Sequence, residues 1–244
     1  MKFSFCTACM GRLHHLRQTL PHNIEIAHSF PETEFVLLDY NSPDDLEGWI
    51  FKELEQHILS GKLKYYKTTE PTSFFMSHAK NVSHKLAVGD IICNVDADTY
   101  LEPEFIAILR EVFETKDDMK ILAPAMTSDF SGRIALPKRW FEVLGGYNED
   151  FKFGWGCDDD DFRRRAILFG LREYVFDQKL ANYIGHSNEE RVANSICKDM
   201  EFSKRIHLEM SEANIKQGIL VANQGRSWGV AKCMLNTKCD RRIF

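Results

Sequence analysis

Short apolar runs alternate along this chain with segments in which apolar residues recur at helical spacing. Residues 34–40 (EFVLLDY) form a continuous, largely apolar run, which is typical of a parallel strand covered on both faces. Leu13, Leu16 and Leu20 are spaced for one face of a helix, and Pro21 is expected to end that helix. The alternation predicts an α/β fold in which helices flank a mostly parallel central sheet.

The same two patterns recur beyond the first forty residues. They predict further strands over residues 2–6, 63–67, 90–95 and 121–125, and further helices over residues 44–60, 77–86 and 103–114. In sheets of this kind ligands bind beyond the carboxyl ends of the strands. That rule selects residues 7–12, 39–42 and 96–99 as the edge where a site is expected.

Composition excludes several classes of function. The chain has 244 residues, 44% hydrophobic and 27% charged, with 31 Lys and Arg against 36 Asp and Glu. The net charge of -5 creates no basic field, so nucleic acid is not expected as a partner. We find no apolar run of the roughly 18 residues that a membrane-spanning helix needs, and no signal peptide. Seven cysteines with scattered spacing indicate free thiols and a cytoplasmic location.

Two acids follow directly after the strand predicted at 90–95. Side chains of extended backbone alternate between faces, so Asp96 and Asp98 should project to the same side, with the small Ala97 between them. Paired carboxylates repel each other unless a cation or proton lies between them. A hard divalent ion, which also binds phosphate, would remove that repulsion. A solvated acidic turn explains the pair equally well. Its place at the end of a strand favours the metal site.

A second polar segment, GWGCDDDD over residues 154–161, contains two glycines, a tryptophan and four consecutive acids. Acids in the first turn of a helix stabilise it through the helix dipole, but one or two would suffice. Glycine lets the backbone approach a ligand closely, and Trp155 offers an apolar face for a sugar ring. A neighbouring carboxylate can take the proton of an attacking hydroxyl as a general base. The segment therefore favours a catalytic site that binds sugar.

With both segments, the chain resembles inverting glycosyltransferases of the GT-A fold, closest to family 2 enzymes and to the catalytic region of family 7 β-galactosyltransferases. The resemblance covers residues 2–191 and rests on blocks at 74–98, 132–161 and 186–187. It implies a metal-dependent enzyme that moves a sugar from a UDP-sugar to a hydroxyl of a saccharide acceptor. Cys157 and Asp158 stand where family 7 has glycine and glutamate, so galactose specificity is not implied.

The resemblance also implies roles for single residues on the donor side. Asp98 and His186 correspond to ligands of Mn²⁺ or Mg²⁺, and Asp96 lies in the metal shell or beside the ribose. Without the resemblance, a lone histidine such as His186 is more often structural. By position in the family, the donor and its nucleotide contact the following residues: Thr7, Arg12, Asp39, Lys80, Asp96 and Trp155.

On the acceptor side the resemblance implies a base and the groups that hold the acceptor. Asp159 corresponds to the catalytic base, with Asp158 beside it as the second candidate for a catalytic role. Gly154, Trp155, Asp158 and Asp160 contact acceptor hydroxyls or hold the loop. The reaction expected from this set is a single displacement that inverts the anomeric configuration.

The chain is expected to form one catalytic domain over residues 1–244. A nucleotide-binding half spans 1–100, an acceptor-binding half 101–190 and a helical extension 191–244. Two other functions stay open. A metal-dependent nucleotidyltransferase would also use paired carboxylates, although we find no Gly-rich or basic phosphate loop. A non-catalytic sugar-binding module would explain Trp155 and the acids, but not the nucleotide-binding character of the first half.

Overall fold

The computed structural model describes residues 1–125 and 130–236, and it contains an eight-stranded sheet and a two-stranded one. The described strands are β1 (Phe3–Cys9), β2 (Thr33–Tyr40), β3 (Leu63–Thr68), β4 (Ile91–Asn94), β5 (Thr99–Tyr100), β6 (Lys120–Pro124), β7 (Ala135–Pro137), β8 (Arg172–Phe176), β9 (Asn182–Tyr183) and β10 (Met234–Leu235). The large sheet has the order β10-β3-β2-β1-β4-β7-β6-β8. Its four central strands, β3, β2, β1 and β4, run parallel, as the sequence predicts.

Helices cover both faces of this sheet. The described α-helices are α1 (Leu13–His28), α2 (Leu46–Glu53), α3 (Glu55–Leu59), α4 (Met76–Leu86), α5 (Pro103–Phe113), α6 (Lys138–Val143), α7 (Asp158–Phe169), α8 (Asn188–Arg191) and α9 (Met200–Lys216). One face packs against α1, α2 and α5 and the other against α4, α6 and α7. The single helix predicted over 44–60 is divided into α2 and α3, because Leu54 departs from helical geometry and buries its side chain.

The second strand shows why the continuous apolar run predicts a strand covered on both faces. Phe35 and Leu37 belong to the core on one side of the sheet, and Val36 and Leu38 belong to the core on the other. All four side chains have no exposed surface. Because neither face of β2 meets solvent, both sets of alternating positions are apolar.

The prediction that Pro21 ends the first helix was wrong. α1 continues through Pro21 to His28. Proline in a helix interior removes one backbone hydrogen bond. The buried side chains of Leu20, Ile24 and Ala27 continue the apolar stripe on the core face of α1. Their packing outweighs the lost bond, since tertiary packing supplies most of the stability of helices in proteins.

A short strand that the sequence patterns missed lies beside β4. β7 spans only three residues and pairs antiparallel with both β4 and β6. The predicted strand at 121–125 corresponds to β6, which therefore joins the sheet through β7 instead of lying next to β4. A three-residue strand is too short to show either the alternating or the continuous apolar pattern.

The two-stranded sheet positions the loop that follows β4. β5 begins directly after Asp98, and β9 ends shortly before His186; the two strands pair antiparallel through Thr99 and Tyr183. The backbone N–H of Ile184 also donates to the carbonyl oxygen of Asp98, at 2.8 Å. This pairing joins two segments that lie more than eighty residues apart in the chain.

Within the described residues we find no helix that combines the length and the apolar character needed to cross a bilayer.

Candidate active site

A cleft of about 360 Å³ opens at the carboxyl ends of β1 and β4, and the start of α7 forms part of its wall. This is the edge of the sheet at which the strand-end rule predicts a ligand. Three of the twelve predicted site residues, Thr7, Asp39 and Gly154, do not line it. The nine that do are Arg12, Lys80, Asp96, Asp98, Trp155, Asp158, Asp159, Asp160 and His186.

The three predicted residues outside the lining are buried; Thr7 and Asp39 are hydrogen-bonded within the protein, and Gly154 packs closely against Ser203. The Thr7 hydroxyl donates to the backbone oxygen of Val95 at 2.6 Å, which joins the end of β1 to that of β4. One carboxylate oxygen of Asp39 accepts from the Tyr65 hydroxyl at 2.7 Å, and burial raises the pKa of Asp39. A Cβ placed on Gly154 would lie 2.9 Å from the Ser203 hydroxyl oxygen. In this structure these three residues contact other residues of the protein and do not line the cleft.

The side chains of Asp98 and His186 meet at one end of the cleft. A carboxylate oxygen of Asp98 and Nε2 of His186 lie 2.7 Å apart, and both side chains are less than one fifth exposed. Burial alone would raise the pKa of Asp98, but the hydrogen bond and charge of His186 outweigh it, so that pKa is lowered. The other ring nitrogen of His186 is buried without a hydrogen-bond partner among the described residues. The pair offers one oxygen and one nitrogen ligand.

Asp96 does not point with Asp98 toward His186. The backbone turns after β4, with the N–H of Thr99 bonded to the carbonyl of Asp96 at 3.1 Å, so the alternation of an extended strand does not apply to these two acids. Asp96 accepts instead from the side-chain amide of Asn94 at 2.9 Å. Burial raises the pKa of Asp96. Among the described residues, the possible ligand atoms of Asp96, Asp98 and His186 do not all lie within 4.8 Å of one another.

Gly132 makes room for the Asp96 carboxylate. A Cβ at this position would lie 2.2 Å from an oxygen of Asp96 and 3.5 Å from an oxygen of Asp159. We expect Gly132→Ala to displace Asp96 and to lower the free energy of unfolding by about 1–3 kcal/mol, as overpacking does. Thermal and denaturant unfolding would measure the change. Gly185→Ala is the matched control, because nothing lies within 4 Å of its Cβ. Equal stability of the two variants would contradict the prediction.

Lys80 joins two of the acids that line the cleft. Its ammonium group lies 2.7 Å from a carboxylate oxygen of Asp158 and 2.7 Å from one of Asp159. Burial opposes the charge on Lys80, but the carboxylates of Asp158, Asp159 and Asp96 outweigh it and raise the pKa of Lys80. Burial, followed by the charge of Asp158, raises the pKa of Asp159 to about 8. Lys80 thus bonds the predicted base and its neighbour directly.

The acids in the first turn of α7 divide between the cleft and the core. The first three line the cleft. Asp161 is buried instead, where it pairs with Nε of Arg165 at 2.7 Å and accepts from the Ser211 hydroxyl at 2.7 Å. It therefore ties α7 to α9, and one acid of the run is structural.

Trp155 lies between the acids and the segment that follows His186. Its backbone N–H donates to the hydroxyl of Ser203 at 3.2 Å, which anchors it to α9. The guanidinium of Arg191 lies over its ring, 5.0 Å from the centroid, at cation–π distance. Arg191 thus covers one face of the Trp155 ring.

Three residues that the sequence patterns missed, His14, His15 and Glu190, lie beside Arg12 and His186. Glu190 accepts from Arg12 at 2.6 Å and contacts Nε2 of His14 at 2.6 Å and of His15 at 3.5 Å. The His15 ring lies 5.4 Å from that of His186, and burial lowers the pKa of His15 to about 4. The only available signal was position, because both histidines directly follow the loop that the strand-end rule selects. Glu190 gave none.

Comparison with known proteins agrees with this geometry. Residues 122–189 match the family model described as the N-terminal domain of galactosyltransferase, Glyco_transf_7C. The matched residues include β7, the predicted base and His186. They make up less than half of the chain.

Several solved structures share the fold. The mannosyltransferase PcManGT from Pyrobaculum calidifontis, in complex with GDP-Man and Mn²⁺, is 17% identical, with a TM-score of 0.68 over 90% of this chain and 68% of that one. Residues 1–349 of S. aureus TarS, in complex with UDP-GlcNAc, are 20% identical, with a TM-score of 0.63 over 80% and 61%. Glucosyl-3-phosphoglycerate synthase from Mycobacterium tuberculosis, in complex with Mn²⁺, UDP and glucosyl-3-phosphoglycerate, is 14% identical, with a TM-score of 0.51 over 78% and 74%.

These matches confirm the predicted fold and the predicted resemblance to GT-A glycosyltransferases. The chain spans less than two thirds of the length of the TarS fragment.

Proposed function

We propose that this chain is a metal-dependent glycosyltransferase that moves a sugar from a UDP-sugar to an acceptor hydroxyl with inversion of configuration. The observation that carries the proposal is that one cleft is lined by two groups of side chains. They are the Asp98 and His186 pair, and Asp158 and Asp159 bonded to Lys80. A sugar nucleotide needs a cation at its diphosphate and a base beyond its anomeric carbon, and the cleft offers a group for each.

Asp98 and His186 would hold the divalent cation, Mn²⁺ or Mg²⁺. Their facing oxygen and nitrogen are 2.7 Å apart. A carboxylate oxygen and an imidazole nitrogen are both ligands of divalent cations, so this facing pair fits a shared ion. The bound ion would neutralise charge on the leaving diphosphate. Solved structures of similar fold contain Mn²⁺ with GDP-Man or UDP, which supports this choice of cofactor and donor class.

Asp159 would act as the base. Its carboxylate takes the proton of the acceptor hydroxyl while that oxygen bonds to the anomeric carbon and the bond from this carbon to the diphosphate breaks. Lys80 holds the carboxylate in place and balances the charge of Asp158 beside it. Trp155 would present its free face to a sugar ring, and Asp160 would contact the acceptor.

The pKa of Asp159 predicts a pH dependence. Only the ionised carboxylate can accept a proton, and the pKa is raised to about 8. The rate of transfer should therefore increase as the pH rises toward about 8 and level off above it. Initial rates between pH 6 and 9 at saturating donor would measure this. In the Lys80→Met variant, loss of the neighbouring cation should move the rise to higher pH. A flat profile in the unaltered enzyme would contradict the role of Asp159.

Product analysis tests the proposed function directly. Incubation with UDP-glucose, UDP-galactose and UDP-GlcNAc should release UDP when Mn²⁺ is present and not when a chelator is added. A nucleotidyltransferase would instead transfer or release UMP and leave the sugar 1-phosphate, and a binding module would yield no product. Saturable binding of UDP without turnover of any of these donors in a panel of saccharide acceptors would count against an enzyme.

Two further predictions about the whole protein stand beside this proposal. We propose a single catalytic domain with the nucleotide-binding and acceptor-binding halves divided near residue 100. Residues 237–244 of the predicted C-terminal extension lie outside the described part of the chain. We also keep the cytoplasmic location as a prediction from the cysteine pattern.

A further inference from the structure

Five basic side chains line the cleft, and the structure divides them into two kinds. Three have an acidic partner: Arg12 pairs with Glu190, Lys80 with Asp158 and Asp159, and Arg163 with Glu173. The other two, Arg191 and Lys204, have no acid within 4.0 Å in the described part of the chain. Among the described residues, two cations in this cleft thus have no acidic partner.

Arg191 is held in place but not neutralised. It ends the short helix α8, and its guanidinium lies over the Trp155 ring. Its Nε is buried without a hydrogen-bond partner among the described residues. A buried donor without a partner is costly, and a stacked guanidinium keeps its in-plane donors available for an anion. The next residue toward the N-terminus, Glu190, fixes α8 through its pair with Arg12.

Lys204 approaches the same region from α9. A Cβ on Gly156 would lie 3.4 Å from the Cβ and Cγ of Lys204, and the Cys157 thiol lies 3.4 Å from its backbone oxygen. The stem of the lysine therefore packs on the loop directly after Trp155, while its side chain is exposed at the cleft. Arg191 and Lys204 contact consecutive residues of this one loop.

We infer that Arg191 and Lys204 form a subsite for an anionic group, a phosphate or a carboxylate, carried by the acceptor. This inference rests on the proposed function. Asp158, Asp159 and Asp160 line the acceptor side of the cleft and would repel a negatively charged acceptor. Two unpaired cations beside Trp155 offset that repulsion, and they are the groups that charge-assisted recognition of phosphate or carboxylate uses. A neutral acceptor would leave both cations unused.

The donor diphosphate is the other possible source of such a group, and the surroundings favour the acceptor. The diphosphate belongs at the Asp98 and His186 end of the cleft, where the cation is proposed. Lys204 instead contacts the loop that leads into the proposed base. Arg191 lies on one face of the indole whose other face is proposed for a sugar ring.

The test compares matched neutral and anionic probes on the enzyme saturated with UDP and Mn²⁺. The pairs are glucose with glucose 6-phosphate, glucose with glucuronate, and glycerol with glycerol 3-phosphate. Binding is followed by calorimetry or ligand-observed NMR. We expect at least one anionic probe to bind about tenfold or more tightly than its neutral counterpart. Lys204→Met and Arg191→Met should each remove most of that preference, and Lys204→Arg should retain it. Arg205→Met, one residue further along α9 and over the Phe202 ring, should not change it.

The outcomes distinguish a subsite for an anionic acceptor from a site for the donor diphosphate. Equal binding of every matched pair, or a preference that survives in the double Arg191→Met and Lys204→Met variant, overturns the inference. If both single variants weaken UDP binding by about tenfold and leave the anionic preference unchanged, the cations serve the donor diphosphate and the inference is wrong. Release of UDP from a UDP-sugar in the absence of acceptor is measured separately, so failure of the proposed function is distinguished from failure of the subsite.

Discussion

Replacement of Asp159 by asparagine is expected to lower the rate of sugar transfer by about 10²- to 10⁴-fold, the contribution of a positioned general base. Asparagine keeps the shape of the side chain and can still accept a hydrogen bond from Lys80, but it cannot take a proton at neutral pH. UDP binding in Mn²⁺ should change little, because Asp159 is bonded to Lys80 and not to the proposed metal ligands Asp98 and His186. Turnover numbers with saturating donor and acceptor, together with calorimetric titration of UDP, measure both effects.

Asp158→Asn is the matched control for this prediction. Asp158 has the same partner, Lys80, at the same distance of 2.7 Å, and it precedes Asp159 in the same helical turn. A structural effect of disturbing Lys80 would appear in both variants, whereas loss of the base should appear chiefly in Asp159→Asn. Near-full turnover of Asp159→Asn would eliminate Asp159 as the base, and a larger loss in Asp158→Asn would transfer the role to Asp158.

Replacement of Asp98 by alanine is expected to abolish the dependence of UDP binding on Mn²⁺. Removal of a group that only supports a metal ligand typically costs 10- to 100-fold in metal affinity, so loss of a direct ligand should cost about 100-fold or more. The imidazole of His186 would lose its one hydrogen-bond partner among the described residues, the Asp98 carboxylate 2.7 Å away. UDP titrations with Mn²⁺ and with chelator measure the difference between the two conditions.

His186→Ala should reproduce the loss, and Glu189→Ala should not. Glu189 lies three residues beyond His186 in the same segment and is exposed, so its removal changes the local charge without touching the cleft. If Asp98→Ala retained a strong Mn²⁺ effect on UDP affinity while its thermal stability was unchanged, the metal would have to be held by other groups, of which His14, His15 and Glu190 are the nearest set.

Local patterns in the sequence were sufficient for the central part of the fold. β2, β3, α4, α5 and β6 lie where apolar runs and helical spacing predict them, within one or two residues. These patterns arise because a strand or helix that is covered by neighbours excludes polar residues from the covered positions. They failed where the determining force is not local, as at Pro21, where packing outweighs the preference of proline, and at β7, which is too short to have a pattern.

The candidate site was only partly accessible to sequence analysis. The strand-end rule selected Asp96 and Asp98 without the structure, because their place after an apolar run is a local property. The run of acids after Trp155 was also visible, but not its division, with Asp161 turned into the core toward Arg165. The role of His186 came from resemblance to a family and from no pattern in the residues themselves.

The sequence by itself determined the α/β class, the central strands and helices, and the two acidic segments where chemistry is expected. Only the tertiary structure decided which side chains meet. The pairing of β5 with β9 brings His186 to Asp98, 88 residues away, and the packing of α4 brings Lys80 to Asp158, 78 residues away. That Arg191 and Lys204 line the same cleft, with no acid within 4.0 Å among the described residues, is also a property of the tertiary structure alone. Periodicity reports which face of an element is buried, whereas contacts between distant loops depend on the order of the strands in the sheet and on how the helices pack across it.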